Sequence, residues 1–475
     1  MILSRFLAAS AIIVTLSCTI ASAQIDFIEH DIDYFSRAAG VYACDIDNDG
    51  DLDALGAGLG SGEIAMWRND GGNPVNWTYS LIDQVPGAIY VYSADIDGDG
   101  LMDAVAAAAT TGKIVWWQNG GGDPIDWLPQ IIGSGFLSAH GVHAEDVDGD
   151  CDIDILGASE GLDQIAWWRN DGGDPIEWTM QVIADNFLES RAVSTADVDG
   201  DGDIDVLGAA FRYGDIKWWR NDGGNPIAWT EFEIDSRFAG AHHIYVCDLD
   251  RDGDPDVLSA GCGIDQIAWW RNDGGDPVVW TKQVIGRYFR CALTVWADDF
   301  DNDGDTDVVG TAWAGDEILW WRNDGGNPIG WTELPVNDNY NGPWPVCTGD
   351  LDGDGDADIL GGSDDDSKIT WWENESSSGF DNDPSWTTGE ILMLENYPDP
   401  FNSSTVIKFE LLRETNVILA IYNILGREIE LIIKRSMPAG SHNVKWEAAT
   451  LNNGVYFCRL KTQYSSEINK MLLLK

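Results

Sequence analysis

Apolar residues fall in short runs separated by turn residues, and the whole arrangement recurs with a pitch of 50–51 residues between Asp45 and Asp350. The first run of each unit is V-x-x-A-D, as at Val91–Asp95. Four residues before each acidic loop stands Val41, Val91, Val142, Val193, Ile244, Val295 or Val346, an unbroken β-branched column that reads as one buried strand face. A small apolar run follows (Val206–Ala209), then I-x-W-W-R-N (Ile216–Asn221). A DGGNP or DGGDP turn leads into W-T-x-x-x-I (Trp229–Ile234). Runs of this length, bounded by Gly, Asp, Asn and Pro, predict strands rather than helices. Four strands and an aromatic motif per unit, at this period, predict propeller blades. Seven units predict an all-β, seven-bladed β-propeller.

The segment Phe27–Ile32 precedes the first loop by the same interval as Trp77–Ile82 precedes the second. It supplies an outer strand without a blade of its own, and pairing with blade 7 removes exposed sheet edges. Trp386–Ile391 is the rival closing strand. The Trp pairs, Trp116/Trp117 through Trp371/Trp372 with Met66–Trp67 in the first unit, are expected to pack between blades. Strand alternation points the two members to opposite faces, which leaves one of each pair as a candidate for partial exposure.

Between the first and second strand of every unit lies D-x-D-x-D-G-x-x-D. In the first loop, Asp45, Asp47, Asp49 and Asp53 offer carboxylates at positions 1, 3, 5 and 9, and Asp51 its backbone carbonyl at position 7. The corresponding sets are Asp95, Asp97, Asp99, Leu101 and Asp103; Asp146, Asp148, Asp150, Asp152 and Asp154; and Asp197, Asp199, Asp201, Asp203 and Asp205. They continue as Asp248, Asp250, Asp252, Asp254 and Asp256; Asp299, Asp301, Asp303, Asp305 and Asp307; and Asp350, Asp352, Asp354, Asp356 and Asp358. Calcium takes six to eight hard oxygen ligands in flexible geometry, and glycine at position 6 permits the sharp turn such a loop needs. Clustered carboxylates also repel unless a cation sits among them. Up to seven Ca2+ ions are therefore expected. An EF-hand is excluded, because position 12 holds Gly56, Ala106, Gly157, Gly208, Ser259, Gly310 or Gly361 rather than Glu. The third loop carries Cys151 where glycine belongs and should be the weakest site.

Residues 1–23 have the charged start (Arg5), apolar stretch (Phe6–Leu16) and Ala21-Ser22-Ala23 end of a secretory signal peptide, with cleavage expected before Gln24. No later segment is long and apolar enough to span a membrane. The formal net charge of −54, from 81 acidic and 27 basic residues, argues against nucleic acid and anionic membranes as partners. The mature chain holds an odd number of cysteines. Cys44 and Cys247 share one repeat position and read as small buried thiols, whereas Cys262 and Cys291 lie on one predicted face, where a disulfide is an open option. The repeat ends after Trp372; a polar linker follows, and then an all-β segment with different composition.

Two resemblances follow from these motifs. Through its D-x-D-x-D-G-x-x-D loops, residues 24–391 resemble FG-GAP/VCBS repeats, the propeller family that includes integrin α-chain heads, which implies calcium at positions 1, 3, 5 and 9. Through NYPDPFN (Asn396–Asn402), IYNILGRE (Ile421–Glu428), NGVYFCRL (Asn453–Leu460) and KMLLLK (Lys470–Lys475), residues 392–475 resemble the C-terminal sorting domain of type IX secretion cargo, a small β-sandwich. Asp399 departs from the Asn that is commoner there. This resemblance implies a Bacteroidetes-type bacterium, Sec export and engagement of the outer-membrane type IX machinery. Release or surface attachment would follow.

Three functions fit. The first is a calcium-stabilised, monomeric module for adhesion, binding an extracellular glycan or protein. The second is a polysaccharide lyase or hydrolase on a propeller scaffold, and the third a structural surface layer. Six residues before their loops stand His140, Arg191, His242 and Trp344, with Trp313 after the second strand of blade 6. These differ from blade to blade, unlike the loops, and are the candidate ligand residues on the face opposite them. No G-x-S-x-G or H-E-x-x-H motif is present, and the Asp residues are committed to the loops, so no carboxylate pair for glycoside hydrolysis stands out.

Overall fold

The computed structural model describes residues 25–375, 391–398, 401–411, 415–423, 428–448, 451, 454–461 and 466–473. The expected signal peptide, the linker after Glu375, residues 386–390 of the rival closing strand, and Asp399 lie outside the described residues. The chain divides into two compact units, with the boundary between Ser376 and Ser377.

In the first unit a lone strand, β1 (Asp26–Tyr34), precedes the first blade: β2 (Ala38–Cys44), β3 (Asp53–Gly58), β4 (Glu63–Asn69) and β5 (Trp77–Gln84). These four pair antiparallel in sequence order, and the same meander recurs in the five units that follow. The seventh contributes three strands of its own, Pro343–Gly349, Asp358–Ser363 and Lys368–Glu375. Its fourth is β1, which pairs antiparallel with Lys368–Glu375 from Asp26↔Glu375 to Tyr34↔Lys368. The N-terminal strand therefore closes the ring, as its spacing from the first loop suggested. The innermost strands neighbour one another in cyclic order, with Pro343–Gly349 returning to β2.

Both Trp residues of every pair are buried: Trp116 is 4 % exposed, Trp117 0 %, Trp371 1 % and Trp372 0 %. The candidate exposed Trp row does not exist. The third strand is covered on both faces by the adjacent blades, so alternation moves a side chain from one blade interface to the other rather than to water. In six blades an aromatic residue leading into the first strand meets the second Trp edge-on, as Phe35 does Trp67 at 4.9 Å and Phe289 does Trp321 at 5.1 Å. This packing also explains the glycine at position 12 of the first loop. A Cβ on Gly56 would sit 2.7 Å from the Trp67 ring.

The outer strands differ around the ring. Blades 1–3 expose Tyr79, Leu81, Ile131, Met180 and Val182, whereas blade 4 exposes Glu231 and Glu233 at the matching positions.

The second unit holds a three-stranded sheet (Ile391–Tyr397, Ser404–Leu411, Gly440–Glu447) and a four-stranded one (Glu428–Met437, Thr415–Asn423, Gly454–Lys461, Ser466–Leu473). Phe409 and Trp446 of the first share one core with Leu419 and Cys458 of the second, which makes a β-sandwich. No helix is long and apolar enough to cross a membrane among the described residues.

Candidate metal centres

Each acidic loop leaves the first strand of a blade and ends on the first residue of the second. Two left-handed residues shape it. Position 6 has φ of 103° at Gly50 and 76° at Cys151, a conformation that costs a non-glycine residue about 1–2 kcal/mol. Position 4 is left-handed too, at Asn48 (62°), Arg251 (61°) and Asn302 (55°), with glycine in the other loops. Sequence reasoning overlooked this second bend, although Gly or Asn occupies it in six of seven loops.

The carboxylates then fix the loop by accepting backbone N–H groups. In all seven loops the position-1 Oδ2 accepts from position 6 at 2.9–3.1 Å. The position-5 Oδ1 accepts from position 7 at 2.8–3.1 Å, including Leu101 on Asp99. Position 9 is buried: Asp53, Asp103, Asp154, Asp205, Asp256 and Asp307 are 0 % exposed and Asp358 1 %. Its Oδ2 accepts from position 2 at 2.8–3.2 Å. Its Oδ1 accepts at 2.7–2.8 Å from the Asn that ends the third strand.

That Asn (Asn69, Asn119, Asn170, Asn221, Asn272, Asn323, Asn374) is the residue the sequence reading missed. Its amide donates to the position-8 carbonyl of its own loop in every blade. In six blades it also donates to the position-2 carbonyl of the preceding blade's loop, as Asn69 does to Leu351 at 2.7 Å across the ring closure. The loops are therefore knotted into the blade-to-blade contacts. Its sevenfold recurrence after W-R, W-Q or W-E was the available signal.

One carboxylate oxygen each from Asp45, Asp47 and Asp53 lies within 4.8 Å of the others; the same holds for Asp146/Asp148/Asp154, Asp197/Asp199/Asp205 and Asp248/Asp250/Asp256. In the second loop the close set is Asp95, Asp97 and Asp99. Position 5 is outside the close set in those four loops. Several converging oxygens are buried without any partner: Oδ1 of Asp95, Asp197, Asp299 and Asp350 at position 1, and of Asp47, Asp148, Asp199 and Asp250 at position 3. A buried oxygen without a donor costs about 1–3 kcal/mol. Burial pushes the position-9 carboxyls up, to about 7 in Asp53 and Asp103 and about 8 in Asp307 and Asp358, against the backbone N–H groups that favour the ionised form. A hard divalent cation removes both penalties, since it supplies charge to the orphaned oxygens and favours ionised carboxylates. The donor set fits calcium, being made of oxygen only.

The third-strand Arg trims the charge. Arg68 Nε is 3.9 Å from Asp47 Oδ2 and 2.7 Å from Asp70. Blade 7 has Glu373 instead, paired with His30 at 2.7 Å. There burial, Asp354 and then Glu373 push Asp352 up to about 6.

At the opposite end of the inner strands, His140, Arg191, His242 and Trp344 do meet. The His140 and His242 rings are 5.3 Å apart, and Trp344 is 6.0 Å from His242. They line a cavity of about 20 Å³, also bounded by Tyr90 and His243, which is room for about one water. His140 is 7 % and His242 5 % exposed. Each donates Nδ1–H to a carbonyl, of Arg191 (3.1 Å) and Leu293 (3.0 Å). Further up, position −3 of the loops fills the channel with rings: Tyr42 meets Tyr92 at 4.6 Å, and Tyr245 meets Trp296 at 4.6 Å. The channel end is thus a packed plug rather than an open mouth. Trp313 stands apart on the rim, 38 % exposed.

The FG-GAP-like repeat model matches residues 45–106, 146–208, 197–259, 248–310 and 299–361. The chain belongs to the FG-GAP-like repeat family. Membership accounts for the propeller and for the recurring loops. The secretion system C-terminal sorting domain model matches residues 395–474, so this member of the family is addressed to type IX secretion, and thereby to the cell surface or the medium. No curated protein matches the chain. Among solved structures it is similar to PorZ, described as an essential bacterial surface component of the type IX secretion system of Porphyromonas gingivalis. The two are 12 % identical with a TM-score of 0.44, over 90 % of this chain and 58 % of that one. It is also similar to a fungal alcohol oxidase of the AA5 family, in complex with copper, at 10 % identity and a TM-score of 0.53, over 95 % of this chain and all of that one. Likeness at that identity speaks to fold alone.

Proposed function

We propose that the chain is an exported, calcium-stabilised ring that binds an extracellular glycan or protein ligand, with Ca2+ held in its seven loops. The observation that carries this reading is the convergence of buried, partnerless carboxylate oxygens at the same place in blade after blade. Such sites are costly empty and stabilising when filled, because an ion that binds only the folded ring adds RT ln(1 + [L]/Kd) per site. The loops repeat and offer little discrimination, while the opposite face varies from blade to blade, so ligand recognition is assigned to that face. An enzyme active site at His140, Arg191 and His242 is not favoured, because a cavity of about 20 Å³ admits no saccharide.

A glycan and protein array probed with the full chain tests the reading, in millimolar calcium and in chelator. Calcium-dependent retention of a defined ligand class is expected. Absence of any retained ligand in calcium would contradict a binding role.

A further inference from the structure

The cations of the ring are distributed unevenly. Residues 25–375 contain 16 Lys and Arg, and 12 of them have a carboxylate oxygen within 4.0 Å. Among the described residues of this unit, those without one are Lys113, Arg237, Arg287 and Arg290. Three of these four sit on one stretch of the rim opposite the metal loops, where the chain passes into blades 5 and 6, and all three are exposed. In a chain of net charge −54, unpaired cations gathered at one place call for a reason. Two carboxylates of these turns are engaged elsewhere: Asp235 takes Lys282 Nζ at 2.8 Å, and Asp265 takes the Cys291 N–H at 2.8 Å. Glu317 feels the charge of Arg290 without an oxygen inside ion-pair distance.

Two aromatic rings accompany these cations. Tyr288 is 88 % exposed and Trp313 38 %. Tyr288 is also left-handed, with φ of 63°. The residue at the same place, just before the Phe that packs on the second Trp, is Gly135 leading into blade 3 and Asn186 leading into blade 4. Those types suit that backbone; a bulky ring does not, and here it gains no packing in return. A strained residue that contributes nothing to the core points to a role outside it.

The stretch is stiff. The disulfide Cys262–Cys291 ties the second-to-third strand turn of blade 5 to the segment holding Tyr288 and Arg290. Backbone bonds continue the brace, from Cys262 to Gly240 at 3.0 Å, Trp313 to Cys291 at 3.1 Å and Ala314 to Arg290 at 3.2 Å. Arg237, Tyr288, Arg290 and Trp313 are thus held on neighbouring, cross-linked turns.

Resting on the ligand-binding reading above, we propose that this rim of blades 5 and 6 is the ligand site and that its ligand is a uronate-bearing polysaccharide. Guanidinium forks match carboxylates two bonds at a time, and a series of them matches an anion repeated along a polymer. The exposed faces of Tyr288 and Trp313 offer flat apolar platforms for sugar rings. A protein partner would ask for an apolar centre within about 800 Å² of surface, whereas the rim presents two rings set among three cations.

The test uses the full chain in calcium, with hyaluronan oligosaccharides as the probe, neutral dextran as the uncharged polymer and poly-glutamate as the acidic polypeptide. Hyaluronan should bind, more weakly at higher salt, and dextran should not. Arg237→Ala/Arg287→Ala/Arg290→Ala should weaken hyaluronan binding about tenfold or more. Tyr288→Gly should weaken it several-fold while the melting temperature holds or rises, a combination that mere unfolding does not produce. Unchanged hyaluronan affinity in the triple variant, or poly-glutamate preferred over hyaluronan, overturns the proposal. Equal retention of another array ligand by wild type and triple variant also overturns it but leaves the ring's binding role standing; loss of every array ligand from the wild type would instead remove that role.

Discussion

The side-chain amide of Asn119 in blade 2 donates to the backbone carbonyl of Ile46 in the loop of blade 1, at 2.9 Å. The same amide reaches the Met102 carbonyl of its own loop at 3.0 Å, while the Asn119 N–H sits on Asp103 at 2.7 Å. One residue thus joins the end of a strand, the closing carboxylate of its own loop and the loop of the neighbouring blade. Ordering one loop therefore bears on the next blade.

Asn119→Ala should cost about 2–3 kcal/mol, because two buried carbonyls lose their donor at once. Asn76→Ala, whose exposed amide bonds only Gly71, should stay within about 0.5 kcal/mol. Denaturant unfolding of the two variants in saturating calcium makes the comparison.

The loops were legible because their ligands are contiguous in sequence: five residues at fixed offsets need no knowledge of tertiary structure. Ring closure was legible for the same reason, from the interval between Phe27 and Asp45. The Asn clamp was not, because its partners Ile46 and Met102 are 73 and 17 residues away and offer only backbone. Burial of both Trp of each pair depends on the neighbouring blade covering the second face, which strand alternation alone does not reveal. His140, Arg191, His242 and Trp344 come together because they share one repeat position. That the gathering closes the channel depends on the volumes of Tyr42, Tyr92, Tyr245 and Trp296, which vary without a pattern.

Replacing Cys151 by glycine should stabilise the ring by up to about 1 kcal/mol, since the residue holds φ of 76°. Calcium affinity of the third loop should rise with it. Calcium titrations of wild type and Cys151→Gly, followed by thermal melting, separate the two effects.

Acid should weaken the ring through its channel histidines. Burial pushes His140 down to about 3 and His243 to about 4, while an unfolded imidazole titrates near 6.5. The folded state holds these rings neutral, so the unfolded chain takes up the protons first. The histidine contribution to stability is complete above about pH 6.5 and is lost as pH falls from there towards 4. His243→Gln, in saturating calcium, should flatten the fall in melting temperature over that range relative to wild type; parallel curves would remove His243 from the explanation.

Removing residues 377–475 should leave a ring that folds and binds calcium as before but is no longer exported by the type IX route. The core of the second unit is built from its own residues, Phe401 through Leu473, and the sorting-domain match covers 395–474. Melting of the shortened protein and its recovery from culture medium are the two readouts.

The central claim is that the converging carboxylates are calcium sites. Equilibrium dialysis of the full chain against micromolar free calcium, in physiological salt and magnesium, measures it directly. The expected result is close to seven bound calcium ions per chain, one for each D-x-D-x-D-G-x-x-D loop, with six if Cys151 leaves the third loop weak. Retention of one ion or none under those conditions would contradict the account.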